Sequence, residues 1–399
     1  MRVVVYTNIL TPYRLHLFNA MDRELRERGD MFHVLLMAET ESNRNWHYED
    51  LKREYTTLLR HKTFTISGAY IHWNPDLKRT LQQLRPDVVI GAGSYLCPGV
   101  WDILRWKKRL GYRVFFWSES HENEARDYQN WKLRLREWIR KQVYSRFDGF
   151  WFAGALSRRM IEKYARSDAL YHFMPNLVDE ALYQQAFDRS PEQIEETKRH
   201  LGLNPANRVF LCPARLSRVK GIDRFFSMLE SCPEKDRMTI LIAGDGELRS
   251  QLETQAKEME MDAIFLGFQN QEQMVELYSA SDIVLLPSLS DPNPLTCIEA
   301  LWAGLPLFLS SHCGNYPEVI VPGENGFVFD YSEPDKAITS LKVLLQKDDA
   351  WYRKAGALSH SIAMSNYRTD EVVKRAIQFL YDLPEEEKYG PSKEEEIPS

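Results

Sequence analysis

Short apolar runs, rich in β-branched and aromatic residues, alternate with longer segments of helical periodicity along the whole chain. Strands separated by helices in this way are typical of parallel sheets that carry helices on both faces. The pattern predicts an α/β fold with two Rossmann-like, doubly wound domains, one in each half of the chain, and a cleft between them. The predicted strands are 3–7, 32–37, 87–91, 112–117, 150–154, 209–213, 238–243, 263–267, 282–287 and 306–310.

The strand–helix pattern is interrupted near residues 174–183, where a Pro-Asn pair precedes a charged segment that we expect to form a connecting helix. The length of 399 residues also favours two domains over one. We therefore predict domains at 1–176 and 177–366. Residues 367–384 have a helical pattern, and the acidic tail at 385–399 is poor in apolar residues and is predicted to be disordered.

Charge is divided unevenly between the halves. The chain carries a net charge of −6, but residues 1–180 hold 29 Lys and Arg against 22 Asp and Glu, whereas the remainder holds 22 against 35. The basic first half is compatible with an anionic partner such as a phosphate, a lipid headgroup or an acidic glycan. A surplus of cations also has ordinary structural explanations, so charge alone leaves the partner open.

The cysteines and the apolar runs bear on location. The five cysteines are widely spaced and form no Cys-x-x-Cys pair, which favours a reducing compartment and argues against a structural zinc site. No run reaches the ~18 apolar residues of a membrane-spanning helix, and the first residues lack the apolar core of a signal peptide. We therefore expect a cytoplasmic protein.

A loop after the strand at 209–213 carries Arg215 and Lys220, followed by Gly221 and a helical segment. Two cations five positions apart on such a loop can converge on one anionic ligand, with a planar fork from Arg and a point charge from Lys. The N-terminus of the next helix adds its dipole. The alternative is a pair of solvated charges without a ligand.

Glycines mark the next two strand ends. Gly244 and Gly246 form a tight turn after the strand at 238–243, and Gly267 closes the following strand. The full Gly-x-Gly-x-x-Gly fingerprint of dinucleotide-binding turns is missing. An exposed backbone at these positions could flank a flat base, although simple turns explain the glycines equally well.

The segment after the strand at 282–287 places two acids in apolar surroundings. Asn293 and Pro294 predict a helix start, with Asn as the N-cap and Pro at the first position, and Gly304 predicts its end. Asp291 precedes this helix and Glu299 lies inside it. A buried carboxylate without a partner is costly. We therefore expect Glu299 to meet either an internal Arg or Lys or the hydroxyl groups of a ligand.

These motifs together resemble the retaining GT-B glycosyltransferases of family 4. The resemblance is carried by Arg-x4-Lys, the Gly-Asp-Gly-Glu turn, Leu-Gly at 266–267, acid-x7-acid in Asp291 and Glu299, and the Pro-Glu-Val-Ile and Gly-Glu-Asn-Gly-Phe stretches within 317–327. It covers roughly 200–330 strongly and the first half weakly. It implies a GT-B fold with the last helix, 367–384, returning to the first domain. It also implies transfer of a sugar, with retention, from a nucleotide-diphosphate sugar to a hydroxyl acceptor.

The resemblance assigns roles on the donor side. Arg215 and Lys220 would bind the diphosphate and stabilise its charge as it leaves, Glu299 would bind the ribose hydroxyls, and Asp291 would contact the donor sugar. The backbone N–H groups of Leu295 and Thr296 would face the phosphates. Since two cations would neutralise the leaving group, neither a metal ion nor a cofactor is expected. The other predicted donor-binding residues are Gly244, Gly246, Gly267, Phe268 and Asn293.

In such enzymes the first domain supplies the acceptor side. Thr11, Tyr13, Arg14 and Glu119 are accordingly predicted acceptor or phosphate contacts, and His121 would lie near the transferred sugar and act in catalysis. The family pattern is not complete, because the first acid is Asp where Glu is usual and Pro-Asn-Pro replaces the usual glycines. These differences leave the transferred sugar undetermined.

The basic, Trp-containing stretches 100–113 and 131–147 are interpreted as surface helices of the first domain, the second with the alternative of a peripheral contact with an anionic membrane. No repeated aromatic–basic platform indicates nucleic acid. Two other functions remain open: a nucleotide-sugar epimerase on the same fold and a non-catalytic nucleotide-sugar-binding protein. The acceptor could be a glycan, a lipid-linked sugar or a small glycoside.

Overall fold

A computed structural model describes residues 1–41, 48–66, 69–122 and 130–384, and the predicted acidic tail at 385–399 lies outside these residues. The first sheet has seven parallel strands in the order β3-β2-β1-β6-β7-β8-β9. A separate antiparallel hairpin is formed by β4 and β5. The strands are β1 (Arg2–Thr7), β2 (Met31–Leu36), β3 (Thr56–Leu58), β4 (Lys62–Ile66), β5 (Ala69–Trp73), β6 (Val88–Ala92), β7 (Arg113–Ser118), β8 (Gly149–Phe152) and β9 (Leu170–Phe173).

The second sheet has six parallel strands in the order β12-β11-β10-β13-β14-β15. Its strands are β10 (Arg208–Pro213), β11 (Met238–Ala243), β12 (Ala263–Gly267), β13 (Ile283–Leu286), β14 (Leu307–Ser310) and β15 (Gly326–Phe329). The strand order reverses between β1 and β6 in one sheet and between β10 and β13 in the other, and such switch points are where ligands bind in doubly wound folds.

The helices connect these parallel strands. They are α1 (Pro12–Glu27), α2 (Tyr48–Leu51), α3 (Leu77–Leu84), α4 (Pro98–Leu110), α5 (Asn130–Tyr144), α6 (Ala155–Glu162), α7 (Glu180–Phe187), α8 (Pro191–His200), α9 (Ile222–Leu229), α10 (Arg249–Glu258), α11 (Gln271–Ser279), α12 (Leu295–Trp302), α13 (Tyr316–Val319), α14 (Pro334–Leu345), α15 (Asp349–Asn366) and α16 (Thr369–Tyr381). Because helices cover both faces, the central strands are apolar throughout, and Val3 to Tyr6 of β1 are fully buried.

Every predicted strand is present, within one or two residues at each end, so the two-sheet α/β architecture is confirmed. The pattern missed β3, β9 and β15 at the sheet edges and the β4–β5 hairpin. The missed edge strands are only three or four residues long, and the exposed hairpin buries little, so neither produces a long apolar run. The expected connecting helix is α7, which packs on α11 and α12.

The last helix packs on the first domain. Arg23 of α1 pairs with Asp370 of α16 at 2.6 Å, and the Phe379 ring contacts those of Phe115 and His172. One continuous apolar core includes buried residues from both sheets. The two domains therefore form an extensive interface, which fixes the position of the loops that face each other.

The surface helix α5 buries Val143 and Tyr144 against the first domain. Its Leu135 and Trp138 are exposed instead, the indole side chain to 60%. The apolar residues of α5 therefore face the core only in part. None of the helices described in the structure combines the length and apolar character required to cross a bilayer.

Candidate functional site

The loops that follow the parallel strands of both sheets meet at the interface between the domains. Asn293 of the second domain donates from Nδ2 to the Ala153 carbonyl at 3.2 Å and accepts from Asn176 at 3.3 Å. The Glu318 carboxylate accepts a hydrogen bond from the Ala155 N–H at 2.5 Å. Since carboxyl ends of parallel strands form the ligand-binding edge of such sheets, the interface is a candidate active site.

Lys220 lies in this interface region and is paired with an acid. Its Nζ is 2.6 Å from Oδ2 of Asp291, and both side chains are largely buried. Burial alone would lower the pKa of Lys220, but the charge and hydrogen bond of Asp291 reverse this and leave the pKa raised. The amine is therefore protonated, and the structure brings two predicted catalytic residues into direct contact.

The loop between β10 and α9 is held against the segment that carries Asp291. The Val219 carbonyl accepts hydrogen bonds from the N–H groups of Leu289 and Ser290, at 2.8 and 3.2 Å. Gly221 adopts φ +65°, and a Cβ there would lie 2.2 Å from the Pro287 carbonyl oxygen, so only glycine permits this approach. The loop that carries Arg215 and Lys220 is thus packed directly against the segment that precedes Asp291.

Arg215 opens the same loop and is exposed. Among the described residues, no hydrogen bond or ion pair is formed by its guanidinium, in contrast to Lys220. Its five donors are therefore available to a ligand. The convergence of Arg215 and Lys220 on one anionic ligand stays a prediction.

The glycine turn packs directly on the cationic loop. A Cβ on Gly244, which has φ +152°, would lie 2.1 Å from the Ala214 carbonyl oxygen, and one on Gly246 would lie 2.4 Å from that of Leu216. The next helix begins only at Arg249, so the turn is longer than predicted. The Gly244 N–H donates to the Gly267 carbonyl at 2.8 Å, which aligns two strand ends side by side.

Phe268 follows this pair of strand ends and is 81% exposed. A single exposed apolar side chain is common on protein surfaces, so the exposure alone assigns no function. Its position after Gly267 keeps it a candidate for stacking on a flat ligand.

The helix start near Asn293 differs from the prediction. Helix α12 begins at Leu295, Pro294 occupies the N-cap position in an extended conformation, and no side chain caps the helix. The Asn293 amide instead forms hydrogen bonds across the domain interface, so its assignment as an N-cap was wrong, while its contact with the sugar donor stays a prediction. The N–H groups of Leu295 and Thr296 remain at the helix start.

Glu299 is bound by two tyrosines, which differ from both expected partners, an internal Arg or Lys and the hydroxyl groups of a ligand. Its Oε1 accepts from the Tyr183 hydroxyl at 2.9 Å and its Oε2 from the Tyr278 hydroxyl at 2.6 Å. The expectation of an internal Arg or Lys was wrong. Burial raises the pKa of Glu299, and the two tyrosine hydrogen bonds oppose that rise. Each carboxylate oxygen can accept a further hydrogen bond, and the side chain is only partly buried, so ligand hydroxyls can still bind here.

The acceptor-side residues form a second group after β1 and β7. Arg14 donates from Nη2 to Oε1 of Glu119 at 2.6 Å, and its guanidinium lies 3.8 Å from the centre of the Trp117 ring. Tyr13 is partly buried beside it, 5.8 Å from the guanidinium. Thr11 is buried and caps α1 by accepting from the Arg14 N–H. Its hydroxyl thus has a structural role, and its contact with an acceptor stays a prediction.

His121, which follows β7 of the first domain, lies against the second domain. Its side chain is 5% exposed, and its ring lies so close to Gly314 that a Cβ there would come within 2.5 Å of Cδ2. The Gly314 N–H donates to the Asp291 carbonyl at 2.8 Å. His121 of the first domain therefore contacts the segment that holds Asp291 in the second.

Glu318 is a residue of this interface that the sequence did not single out, although it lies in the quoted Pro-Glu-Val-Ile stretch. Its carboxylate receives the N-terminus of α6 from the other domain, and Gly154 leaves the space for it. Burial raises the pKa of Glu318 to about 7, while the Ala155 N–H and the more distant Arg159 oppose the rise.

Glu318 should make stability depend on pH. The carboxyl of Glu318 has a pKa of about 7 in the folded protein and an ordinary pKa of about 4.5 in the unfolded protein. It therefore stays protonated to a higher pH in the folded protein. The folded state thus binds more protons between about pH 4.5 and 7, so the free energy of unfolding falls as pH rises, by roughly 1–3 kcal/mol. We expect Glu318→Gln to flatten this slope in urea titrations at pH 5 and 7.5. Exposed Glu324→Gln is the control, and a wild-type slope in Glu318→Gln would contradict the prediction.

Comparison with known proteins finds similarity in the second half of the chain. Residues 193–356 match the family model described as glycosyl transferases group 1. An uncharacterized glycosyltransferase of Methanocaldococcus jannaschii is 30% identical over 140 residues, 35% of this chain and 36% of that protein. The N-acetyl-alpha-D-glucosaminyl L-malate synthase of Bacillus anthracis is 23% identical over 217 residues, 54% of each chain. The chain thus spans between about a third and about half the length of these curated relatives.

Solved structures share the whole architecture. HepE from Anabaena, in complex with UDP, superposes with a TM-score of 0.71 at 17% identity over 96% of this chain and 100% of that one. Sucrose-phosphate synthase from Thermosynechococcus elongatus gives 0.70 at 15% identity, over 96% and 99%. At sequence identities this low, the structural similarity shows a shared fold and does not show a shared function. The chain has the two-domain GT-B fold of these glycosyltransferases, and residues 193–356 of its second half match the model of the glycosyl transferases group 1.

Proposed function

We propose that the protein is a retaining glycosyltransferase that moves a sugar from a nucleotide-diphosphate sugar to a hydroxyl acceptor bound between its domains. The observation that carries the proposal is the largely buried Lys220–Asp291 pair, with the exposed Arg215 on the same loop, at the carboxyl edge of the second sheet. Cations that are fixed before the substrate arrives stabilise a leaving diphosphate without reorganisation.

Donor binding would exchange the partners of Lys220. In the free protein Asp291 neutralises the amine, at 2.6 Å. A diphosphate brings more negative charge than one carboxylate, so it would draw Lys220 and Arg215 to itself and release Asp291. The released carboxylate can then accept hydrogen bonds from hydroxyls of the sugar. One acid would thus hold the lysine before binding and orient the sugar afterwards.

The other proposed contacts with the sugar donor also lie at the carboxyl edge of the second sheet. Glu299, fixed by two tyrosine hydroxyls, would accept hydrogen bonds from the ribose. The N–H groups of Leu295 and Thr296, at the uncapped start of α12, would face the phosphates together with the helix dipole. Phe268 is free to cover the base.

The acceptor would approach from the first domain, between His121 and the Arg14–Glu119 pair. Among the described groups we assign none as a nucleophile. We propose instead that the acceptor hydroxyl attacks on the face from which the diphosphate leaves, with a leaving phosphate oxygen taking its proton. The protein's contribution is then positioning, charge stabilisation and exclusion of water.

Peripheral contact with an anionic membrane stays a prediction. The exposed Leu135 and Trp138 on α5, with Arg134 and Lys141 also exposed, are the surface that it would use. A cytoplasmic location likewise remains an expectation.

A donor screen tests the proposal without knowledge of the acceptor. Because HepE was also solved with UDP-glucose, the panel begins with UDP-glucose, UDP-galactose and UDP-N-acetylglucosamine and adds GDP-mannose. We expect slow hydrolysis of at least one to free sugar and nucleoside diphosphate, undiminished by EDTA. Conversion of the donor sugar without release of the diphosphate would favour an epimerase. Binding without any turnover would favour a sensor, and either result would defeat the proposal.

A further inference from the structure

A partly buried polar contact joins three helices where the chain passes between the domains. The chain leaves the first domain between β9 and α7 and returns to it between α15 and α16. Glu180 is the first residue of α7, Thr369 is the first residue of α16, and His16 lies in α1. The side chains of these three residues contact one another, so both passages are held at one point.

Thr369 binds the Glu180 carboxylate through both of its oxygens. The Thr369 N–H donates to Oε1 at 3.1 Å, and its hydroxyl donates to Oε2 at 2.6 Å. Nε2 of His16 lies 2.9 Å from the same hydroxyl oxygen and 3.3 Å from Oε2 of Glu180. Because the hydroxyl donates to the carboxylate, it accepts from His16. The position of the carboxylate is therefore fixed from two helices of the first domain.

Glu180 caps a helix that packs on the other domain. The N-cap residue of α16, Arg368, forms no side-chain capping bond, and the Glu180 carboxylate accepts from the helix N-terminus instead. A carboxylate at this end is also favoured by the helix dipole. Burial alone would raise the pKa of Glu180, but the hydrogen bonds from His16 and Thr369 leave it lowered. The carboxyl group is therefore ionised at neutral pH.

Helix α7 connects this contact to the donor side. The helix packs on α11 and α12 of the second domain. Tyr183 follows Glu180 after one helical turn, about 4.5 Å along the axis, and its hydroxyl donates to Oε1 of Glu299 at 2.9 Å. One turn of helix thus separates the bond to the first domain from the carboxylate that we propose to bind ribose. Because the turn is hydrogen-bonded, a displacement of Glu180 would also displace Tyr183.

We propose that Glu180 is a positioning residue for donor binding. By holding the start of α7 on α16, it sets the Tyr183 hydroxyl against Glu299, so that the affinity for ribose hydroxyls depends on how the two domains are joined. Glu180 acts through Tyr183 and not by a contact of its own with the donor. This rests on the proposed function, because it takes the ligand of Glu299 to be a ribose. The alternative is a cap that only stabilises α16.

Calorimetry on the full chain separates these alternatives. It would compare UDP with 2′,3′-dideoxy-UDP, or the corresponding GDP pair where GDP binds more tightly, because the ratio of the two affinities reports the ribose hydroxyls. Glu180→Gln keeps the shape of the side chain and loses its charge, and we expect it to lower this ratio about threefold to tenfold. In a Tyr183→Phe background, which lacks the hydroxyl that meets Glu299, Glu180→Gln should cause no further fall.

Asp370→Asn is the matched control. Asp370 also lies in the first turn of α16, and its ion pair at 2.6 Å is with Arg23 of α1, not with a residue of α7. We expect this variant to keep the wild-type affinity ratio even if its melting temperature falls. If Glu180→Gln does not fold, Thr369→Val, which removes only the hydroxyl from the contact, is judged by the same criterion.

Three results would overturn the positioning role and leave the transferase proposal intact: an unchanged ratio in Glu180→Gln, an equal fall in Asp370→Asn, or full additivity with Tyr183→Phe. A wild type that binds both nucleotides equally would overturn the positioning role together with the ribose role of Glu299. If the ratio falls as expected and the donor screen fails, the transferase proposal alone is defeated.

Discussion

Replacing Lys220 with methionine should lower the rate of sugar transfer or donor hydrolysis by about a hundredfold to a thousandfold. The amine is protonated and fixed in the interface by Asp291 at 2.6 Å, so it is in place before the diphosphate leaves. Methionine retains most of the length of the side chain but supplies no charge and no donor. Arg215→Ala should have an effect of similar size, since its exposed guanidinium is the other cation of the loop.

The Lys220 variant also removes the partner of a largely buried acid, which would by itself reduce stability. The double variant Lys220→Met, Asp291→Asn separates the two effects, because it removes both charges together. We expect it to recover the melting temperature but not the rate. Arg218→Ala, an exposed cation between the two catalytic candidates, is the control for net charge. Near-normal turnover in Lys220→Met would contradict the diphosphate role.

Replacing Glu299 with glutamine should weaken the binding of a nucleoside diphosphate by roughly tenfold to a hundredfold. Both oxygens of the carboxylate are oriented by tyrosine hydroxyls, so a ligand hydroxyl meets a fixed anionic acceptor. Glutamine keeps the shape and one acceptor but loses the charge. Exposed Glu276→Gln, on the same helix as Tyr278, is the matched control.

A ligand without ribose hydroxyls makes this test specific. The wild type should bind UDP more tightly than 2′,3′-dideoxy-UDP, as measured by calorimetry. Glu299→Gln should bind the two with nearly equal affinity, because the group that distinguishes them is changed. If the variant keeps the full preference for UDP, Glu299 only stabilises the packing of α7, α11 and α12.

The sequence was sufficient for the architecture because buried parallel strands are long apolar runs, as in β1 and β10. It also located the donor-side candidates, since Arg215, Lys220, Gly244 and Asp291 all follow predicted strands. Strands at the edges, such as β9 and β15, lacked that signal.

Contacts between distant elements could not be read from the pattern. Tyr183 and Tyr278 meet Glu299 from two different helices, and no spacing in the chain announces them. Asn293 was predicted to be an N-cap, but its amide donates a hydrogen bond to the Ala153 carbonyl of the other domain. Glu318 acquires its environment only when that domain is in place. Such details depend on how the two sheets are docked, which local periodicity does not encode.

The most direct test of the account is the anomeric form of the sugar that the protein releases from a donor labelled with ¹³C at C1. The donor is the nucleotide sugar that the screen selects, and the time course is followed by NMR at enough enzyme to outrun mutarotation. Retention predicts that an α-linked donor such as UDP-glucose yields the α-anomer first, with one nucleoside diphosphate per sugar. First appearance of the β-anomer, or a changed sugar still attached to its nucleotide, would contradict the account.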